Sequence, residues 1–306
     1  MSNINENNTN KFEKKFLSSS VEGTIGSFKA AIDKMKYSFL KQINLGVLGG
    51  AILALAYVAC ISATLGVKTA GISNLINGVI FPAGIVLITF LGGGLYTSHV
   101  VAVIPTIRGA VKFSKFLYGI FGVFIGNFIG TGIIALLIYS CGLFDNGQAF
   151  ASAAFNLATH KMYGFGTYLN KNGTADWSLA SKSMLACFAS GILCNLLVSA
   201  TLPATYSTKS DTTKIMLLFF LILFFIASGF QHSPANTFVF WILFFESITK
   251  VIIVPGHFVI IMYCFDFLTI NIIFSFIGNF IGGGLLTPGI LYVINREHMN
   301  NIFNKN

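Results

Sequence analysis

Six stretches of this chain contain no Asp, Glu, Lys or Arg: residues 42–67, 69–107, 116–144, 183–208, 215–245 and 267–295. Each exceeds the roughly 20 apolar residues that an α-helix needs to cross the hydrocarbon of a bilayer. Backbone amides in lipid find no water, so such stretches fold as helices or as backbone buried within protein. The sequence therefore predicts an all-α integral membrane protein of six transmembrane helices. Composition agrees: 55% of the residues are hydrophobic and 9% charged, against about a quarter charged in soluble domains. The net charge of +9 is confined to the N-terminal segment and the short gaps between apolar runs. That pattern excludes a phosphate-binding face, so no nucleic acid is expected as a partner and the lipid bilayer is.

Two intervals do not fit one straight helix. Residues 69–107 are too many for a single crossing and too few for two with a loop, and 215–245 contains Gly229 and Pro234. Both are predicted to be broken spans whose middle leaves helical geometry. With the N-terminus inside, 14 basic residues face inward: seven from Lys11 to Lys41, then Arg108, Lys112, Lys115, Lys209, Lys214, Arg296 and Lys305. Five face outward: Lys68, Lys161, Lys171, Lys182 and Lys250. The excess of inner cations puts both termini in the cytoplasm of a multi-pass protein of the cell (plasma) membrane. The chain then divides into a cytoplasmic N-terminal segment (1–41), a first three-span half (42–144), an extracellular loop (145–182), a second three-span half (183–295) and a cytoplasmic tail (296–306).

A repeat supports that division. Phe-Ile-Gly-Asn-Phe-Ile-Gly at 124–130 recurs unchanged at 276–282, Ser-Ala-Thr-Leu at 62–65 recurs at 199–202, and Gly94–Ser98 aligns with Gly229–Ser233. Three spans per half means halves of opposite orientation, an inverted three-plus-three repeat with two broken helices meeting near the midplane.

At the breaks, Gly92, Gly93 and Gly94 precede Thr97, Ser98 and His99, while Gly229 precedes Gln231, His232, Ser233 and Asn236. Half-helix N-termini there offer free N–H donors and partial positive charge, which suit an anion. His232 is the leading candidate, because an ionisable group at membrane depth is a functional hypothesis by default. His99 is open between a place near the pore and repair of the break. His160, His257 and His298 fall in loops or tails. No Asp or Glu lies inside the six intervals, Asp145 only bordering one, which disfavours a cation path or carboxylate proton relay. Phe81 and Phe225 stand ahead of the breaks, placed to form apolar constrictions. The five cysteines form no Cys-x-x-Cys pair and read as small buried hydrophobes, with neither metal nor cofactor expected. An enzyme built on His232 would need a nucleophile, carboxylate or metal set at depth, and none is present. The alternative reading is an aquaporin-like channel for water or small neutral solutes, which would call for two Asn-Pro-Ala breaks; span two has no counterpart.

These motifs resemble the formate/nitrite transporter family from about Lys36 to Glu297. The stretches that carry the likeness are Phe81–Ile85, Gly92–Thr97, Gly126-Asn127, Gly191–Asn195, Ala227–Asn236 and Gly278–Gly284. The resemblance implies a homopentamer of aquaporin-like protomers, each with its own pore for formate, nitrite, acetate, lactate or hydrosulfide, often moved with a proton. It assigns His232 to the central pore histidine, Thr97 to the threonine that contacts it, Phe81 and Phe225 to an outer constriction, Ile85 to an inner one and Asn195 to an asparagine near the pore. The chain departs from the family where Gly94 and Gln231 replace acids. The outer vestibule lysine is matched by Lys161 in local context and by Lys182 in distance from span four. A bare carboxylate pays a large cost to cross an apolar slit and its neutral acid little. The ion is thus expected to accept a proton, from water or by way of His232, and to cross largely neutral.

Overall fold

The computed structural model describes residues 18–144, 149–162, 176–253 and 264–303; Asp145, Lys171, His257 and the chain before Ser18 lie outside them. Among the described residues the protein is all helical. The helices are α1 (Ser19–Met35), α2 (Phe39–Ala63), α3 (Ala70–Leu91), α4 (Tyr96–Ile107), α5 (Phe113–Ser140), α6 (Ala149–Lys161), α7 (Trp177–Tyr206), α8 (Asp211–Ala227), α9 (Ser233–Ile253), α10 (Cys264–Ile294) and α11 (Arg296–Phe303). Five of them, α2, α3, α5, α7 and α10, are long and apolar enough to cross a membrane. Leu40, Ile107, Phe113, Leu185 and Ile294 are among the apolar side chains left exposed on this bundle, as expected where lipid rather than water is the solvent.

Polar side chains mark where the helices begin. Ser38 accepts from the amide of Lys41 ahead of α2, Asp176 from Leu179 ahead of α7 and Ser210 from Thr213 ahead of α8, each satisfying an orphan donor. Both predicted breaks are present, and both open the same way. Gly92 and Gly229 adopt positive φ (78° and 71°), and the next amide reaches back five residues, Gly93 to Ile88 O (2.9 Å) and Phe230 to Phe225 O (3.2 Å). This is a glycine-dependent helix stop. Helix resumes at Tyr96 and at Ser233. The two breaks therefore align Gly92 with Gly229 and Gly94 with Gln231, which moves the Gly94–Gly229 pairing read from sequence by two residues.

Glycine faces let the long helices approach in pairs. A Cβ on Gly126 would lie 2.7 Å from Gly46 Cα, packing α5 on α2; one on Gly278 would lie 3.1 Å from Gly191 Cα, packing α10 on α7. Gly46 and Gly191 are thus the matching positions of those partner helices. The Ser-Ala-Thr-Leu match fails on this register: Ser62 and Leu65 sit at the exposed end of α2, whereas Ser199 is buried within α7. Four apolar or small letters recur by chance in a chain this hydrophobic.

Two further expectations change. Glu246 lies inside α9 and is 9% exposed, and Asp266 at the start of α10 is 1% exposed. Each interval was closed at its first charge, but these helices continue past it. The segment read as an outer loop contains α6, which packs against α9 and brings Lys161 inward.

Candidate functional site

The breaks leave main-chain groups that helix cannot satisfy, and one asparagine from each copy of the repeated heptapeptide serves them. Asn127 Nδ2 donates to Gly94 O (2.8 Å) and Gly46 O (2.9 Å), while its Oδ1 accepts from the Tyr96 amide (3.1 Å). Asn279 Nδ2 donates to Gln231 O (2.9 Å) and Gly191 O (2.8 Å), and its Oδ1 accepts from the Ser233 amide (2.9 Å). Each caps the second half-helix of its break from a neighbouring helix. Sequence reasoning used these asparagines as repeat letters and missed their work; their invariance within the only exact long repeat was the available signal.

Between the breaks, Thr97 Oγ1 and His232 Nε2 share a 2.9 Å hydrogen bond. Both side chains are buried. His232 Nδ1 is buried and meets no partner among the described residues, and neither does Asn195 Oδ1. Asn195 Nδ2 donates to Thr97 O (3.2 Å) and Asn279 O (2.7 Å), tying one break to the brace of the other. A buried polar atom without a partner costs about 1–3 kcal/mol. Two of them, a ring nitrogen and an amide oxygen, leave this centre able to bind a small solute that offers both a donor and an acceptor.

The ring of Phe225 lies 5.7 Å from that of His232 and meets Phe81 edge-on at 6.2 Å. Tyr57, which the sequence did not single out, packs against Phe81 at 5.3 Å. On one side of this aromatic group opens a pocket of about 650 Å³, continuous with solvent, whose wall includes Tyr57, Phe81, Phe230, His160 and Lys161. On the other, Ile85, Leu95 and Val198 belong to a larger one of about 1390 Å³ that also holds Lys34, Lys209 and Lys214. Both mouths therefore carry cations. Burial pulls the ammonium groups of Lys161 and Lys34 down to about 8.

Of the two lysine candidates, Lys161 is 8% exposed and lines the pocket, while Lys182 is exposed on α7 and does not line it. Distance along the chain misled because α6 folds back. Asn236 lines neither pocket. Its Nδ2 donates to Gln231 Oε1 (2.8 Å) and Asn271 Oδ1 (2.7 Å), and its Oδ1 accepts from Tyr57 OH (3.4 Å), so it supports the site from behind.

His99 is buried and repairs the first break. Its Nδ1 faces Leu95 O at 2.9 Å and its Nε2 faces Gln42 Oε1 at 3.1 Å. The room beside Gly94 is also taken. A Cβ there would come 2.9 Å from Val123 Cγ2, 3.1 Å from Leu45 Cβ and 3.3 Å from His99 Cε1, so Val123 leads the three side chains that fill the space an acid at 94 would use. Gly94→Asp is expected to lower the melting temperature by several degrees in the wild-type background and by clearly less in a Val123→Ala background. Additive effects in thermal unfolding of the two single variants and the double would refute this compensation.

Residues 24–294 match the sequence model described as "Formate/nitrite transporter". The formate channel FocA of Escherichia coli (strain K12) is 28% identical over 291 residues, covering 88% of this chain and 93% of its own. A solved structure, a pentameric formate channel with formate bound, aligns with a TM-score of 0.66 at 25% identity, covering 84% of this chain and 97% of that one. A second, an FNT family ion channel, aligns with a TM-score of 0.65 at 21% identity and speaks for the fold alone.

Proposed function

The chain belongs to the formate/nitrite transporter family, a family of membrane channels and not of enzymes, and on that premise we propose that each protomer moves a small monovalent anion together with a proton. Formate, nitrite, acetate, lactate and hydrosulfide are the substrate class. The carrying observation is the Thr97–His232 bond lying between two cation-bearing pockets and behind the Phe81–Phe225 pair. The lysines raise the local anion concentration at each mouth. The aromatic pair then penalises the naked charge, so the species that passes is the neutral acid. His232 holds or hands on the proton, with Thr97 fixing its ring, Ile85 narrowing the inner side and Asn195 offering its free oxygen.

The same reading takes the matched breaks and asparagine braces as two three-span halves related by inversion, with α8 and α9 together forming the sixth span. It makes the assembly a homopentamer, after the pentameric formate channel, with both termini in the cytoplasm of a cell membrane. The two halves are residues 42–144 and 183–295.

Proteoliposomes with an imposed pH gradient test the coupling. Uptake of labelled formate should be electroneutral and driven by inward proton flow; a current of one negative charge per molecule with no pH dependence would leave a plain anion channel. Lys161 adds a second signature. Its ammonium is present below about pH 8 and lost above it, so its attraction for the anion fades as outer pH rises through that value. The ratio of wild-type to Lys161→Gln uptake is expected to exceed one at pH 6.5 and to approach one above about pH 8.5. A ratio constant across that range would remove Lys161 from substrate capture.

A further inference from the structure

Where the family resemblance expects glutamate, this chain has Gln231, and the surroundings require an amide. Two consecutive residues of the break grip both ends of Lys161. Phe230 O accepts from its Nζ at 3.2 Å, and its own carbonyl accepts from Gln231 Nε2 at 2.9 Å. Asn271 Nδ2 gives that carbonyl a second donor at 2.8 Å. Gln231 Oε1 meanwhile accepts from Asn236 Nδ2 (2.8 Å) and Asn271 Nδ2 (3.0 Å). The flip state of the amide is thereby fixed by its neighbours, with oxygen toward two donors and nitrogen toward an acceptor. The carbonyl it serves belongs to the last residue of α6, and helix-end carbonyls are met by groups from outside the helix. A carboxylate would keep the first pair of bonds but set two acceptor oxygens against each other at the Lys161 carbonyl. The other mouth uses the same device, since Gln42 Nε2 donates to the carbonyl of Lys34 at 2.6 Å.

We propose that Gln231 is the positioning residue for Lys161: its amide seats the lysine at the pocket wall and, being neutral, leaves the ammonium free to face an incoming anion. Lys161 has no acidic partner among the described residues. This deepens the transport reading above and rests on it for the use made of the lysine, while the seating itself is measurable without transport.

The test compares wild type, Gln231→Glu and Gln231→Met as purified assemblies checked for size and melting temperature. The readout is the rate at which a water-soluble N-hydroxysuccinimide ester acylates Lys161, followed by peptide mass spectrometry. At pH 8 the methionine variant, which loses the donor to the Lys161 carbonyl without adding charge, is expected to label about tenfold faster than wild type, the ratio that one ordinary hydrogen bond supports. The glutamate variant loses the same donor but sets a carboxylate beside the ammonium, which favours the protonated, unreactive form, so it should label more slowly than the methionine variant. Equal labelling of Lys161 in the methionine variant and wild type at pH 8 overturns the proposal, and a glutamate variant that labels as fast as the methionine one refutes the part played by neutrality. Faster labelling of the methionine variant with unchanged half-saturation for formate upholds the seating and instead refutes Lys161 as the capturing charge.

Discussion

Replacing His232 with glutamine is expected to cut acid-driven formate uptake by about 100-fold, the low end of what a positioned proton donor or acceptor contributes. Glutamine is the informative choice. Its amide reaches as far as the imidazole Nε2 and can still bond Thr97 Oγ1, which in the wild type lies 2.9 Å from that nitrogen, and its bulk keeps the Phe225 ring, 5.7 Å away, from collapsing inward. What it cannot do is hold a proton. The buried Nδ1, without a partner among the described residues, is the atom that would meet a solute, and the substitution removes it. Uptake rates in proteoliposomes under an inward proton gradient give the measure, with assembly size and melting temperature as controls. Residual uptake within about threefold of wild type would mean that the imidazole supports the break and takes no part in transfer.

Much of the architecture was legible because the bilayer leaves so few solutions. Apolar stretches as long as a membrane is thick have to be helix, and glycine-rich interruptions at residues 92–94 and at Gly229 have to be breaks. The exact heptapeptide repeat pointed to matched halves, and its asparagines prove to brace those breaks. His232 and Thr97 were readable as polar residues stranded at depth. What stayed hidden is tertiary. Lys161 and Lys182 look alike until α6 folds back and buries one of them. Asn236 stands beside the break in sequence but turns toward Gln231 and Asn271. Gln42, His99 and Lys34 come from three different helices, so nothing local links them. The acids Glu246 and Asp266 escaped because a charge was taken as the end of a helix, whereas a charge near the bundle end can simply be buried within it. Cys141, expected to be buried, is exposed at the end of α5, past the packed core.

Leucine in place of Asn127 or of Asn279 is expected to destabilise the protein by roughly 3–5 kcal/mol in each case, through polar groups left unpaired rather than through poorer packing. With Asn279→Leu, the Ser233 amide and Gln231 O lose their partner, and so does the Ser233 hydroxyl. Asn127→Leu does the same to the Tyr96 amide and Gly94 O. Leucine is close to asparagine in shape and only modestly larger, so the orphaned main chain dominates. In lipid no water can enter to repair it, which makes each orphan dearer than at a soluble surface. The comparison of the two variants carries the structural point. If the two breaks are equivalent by an inverted repeat, the losses in melting temperature should agree to within the one extra bond that Ser233 makes, and both should cost transport. A severe loss at one site beside a mild loss at the other would show that only one break depends on its brace, and that the two halves, though alike in sequence, do not do the same structural work.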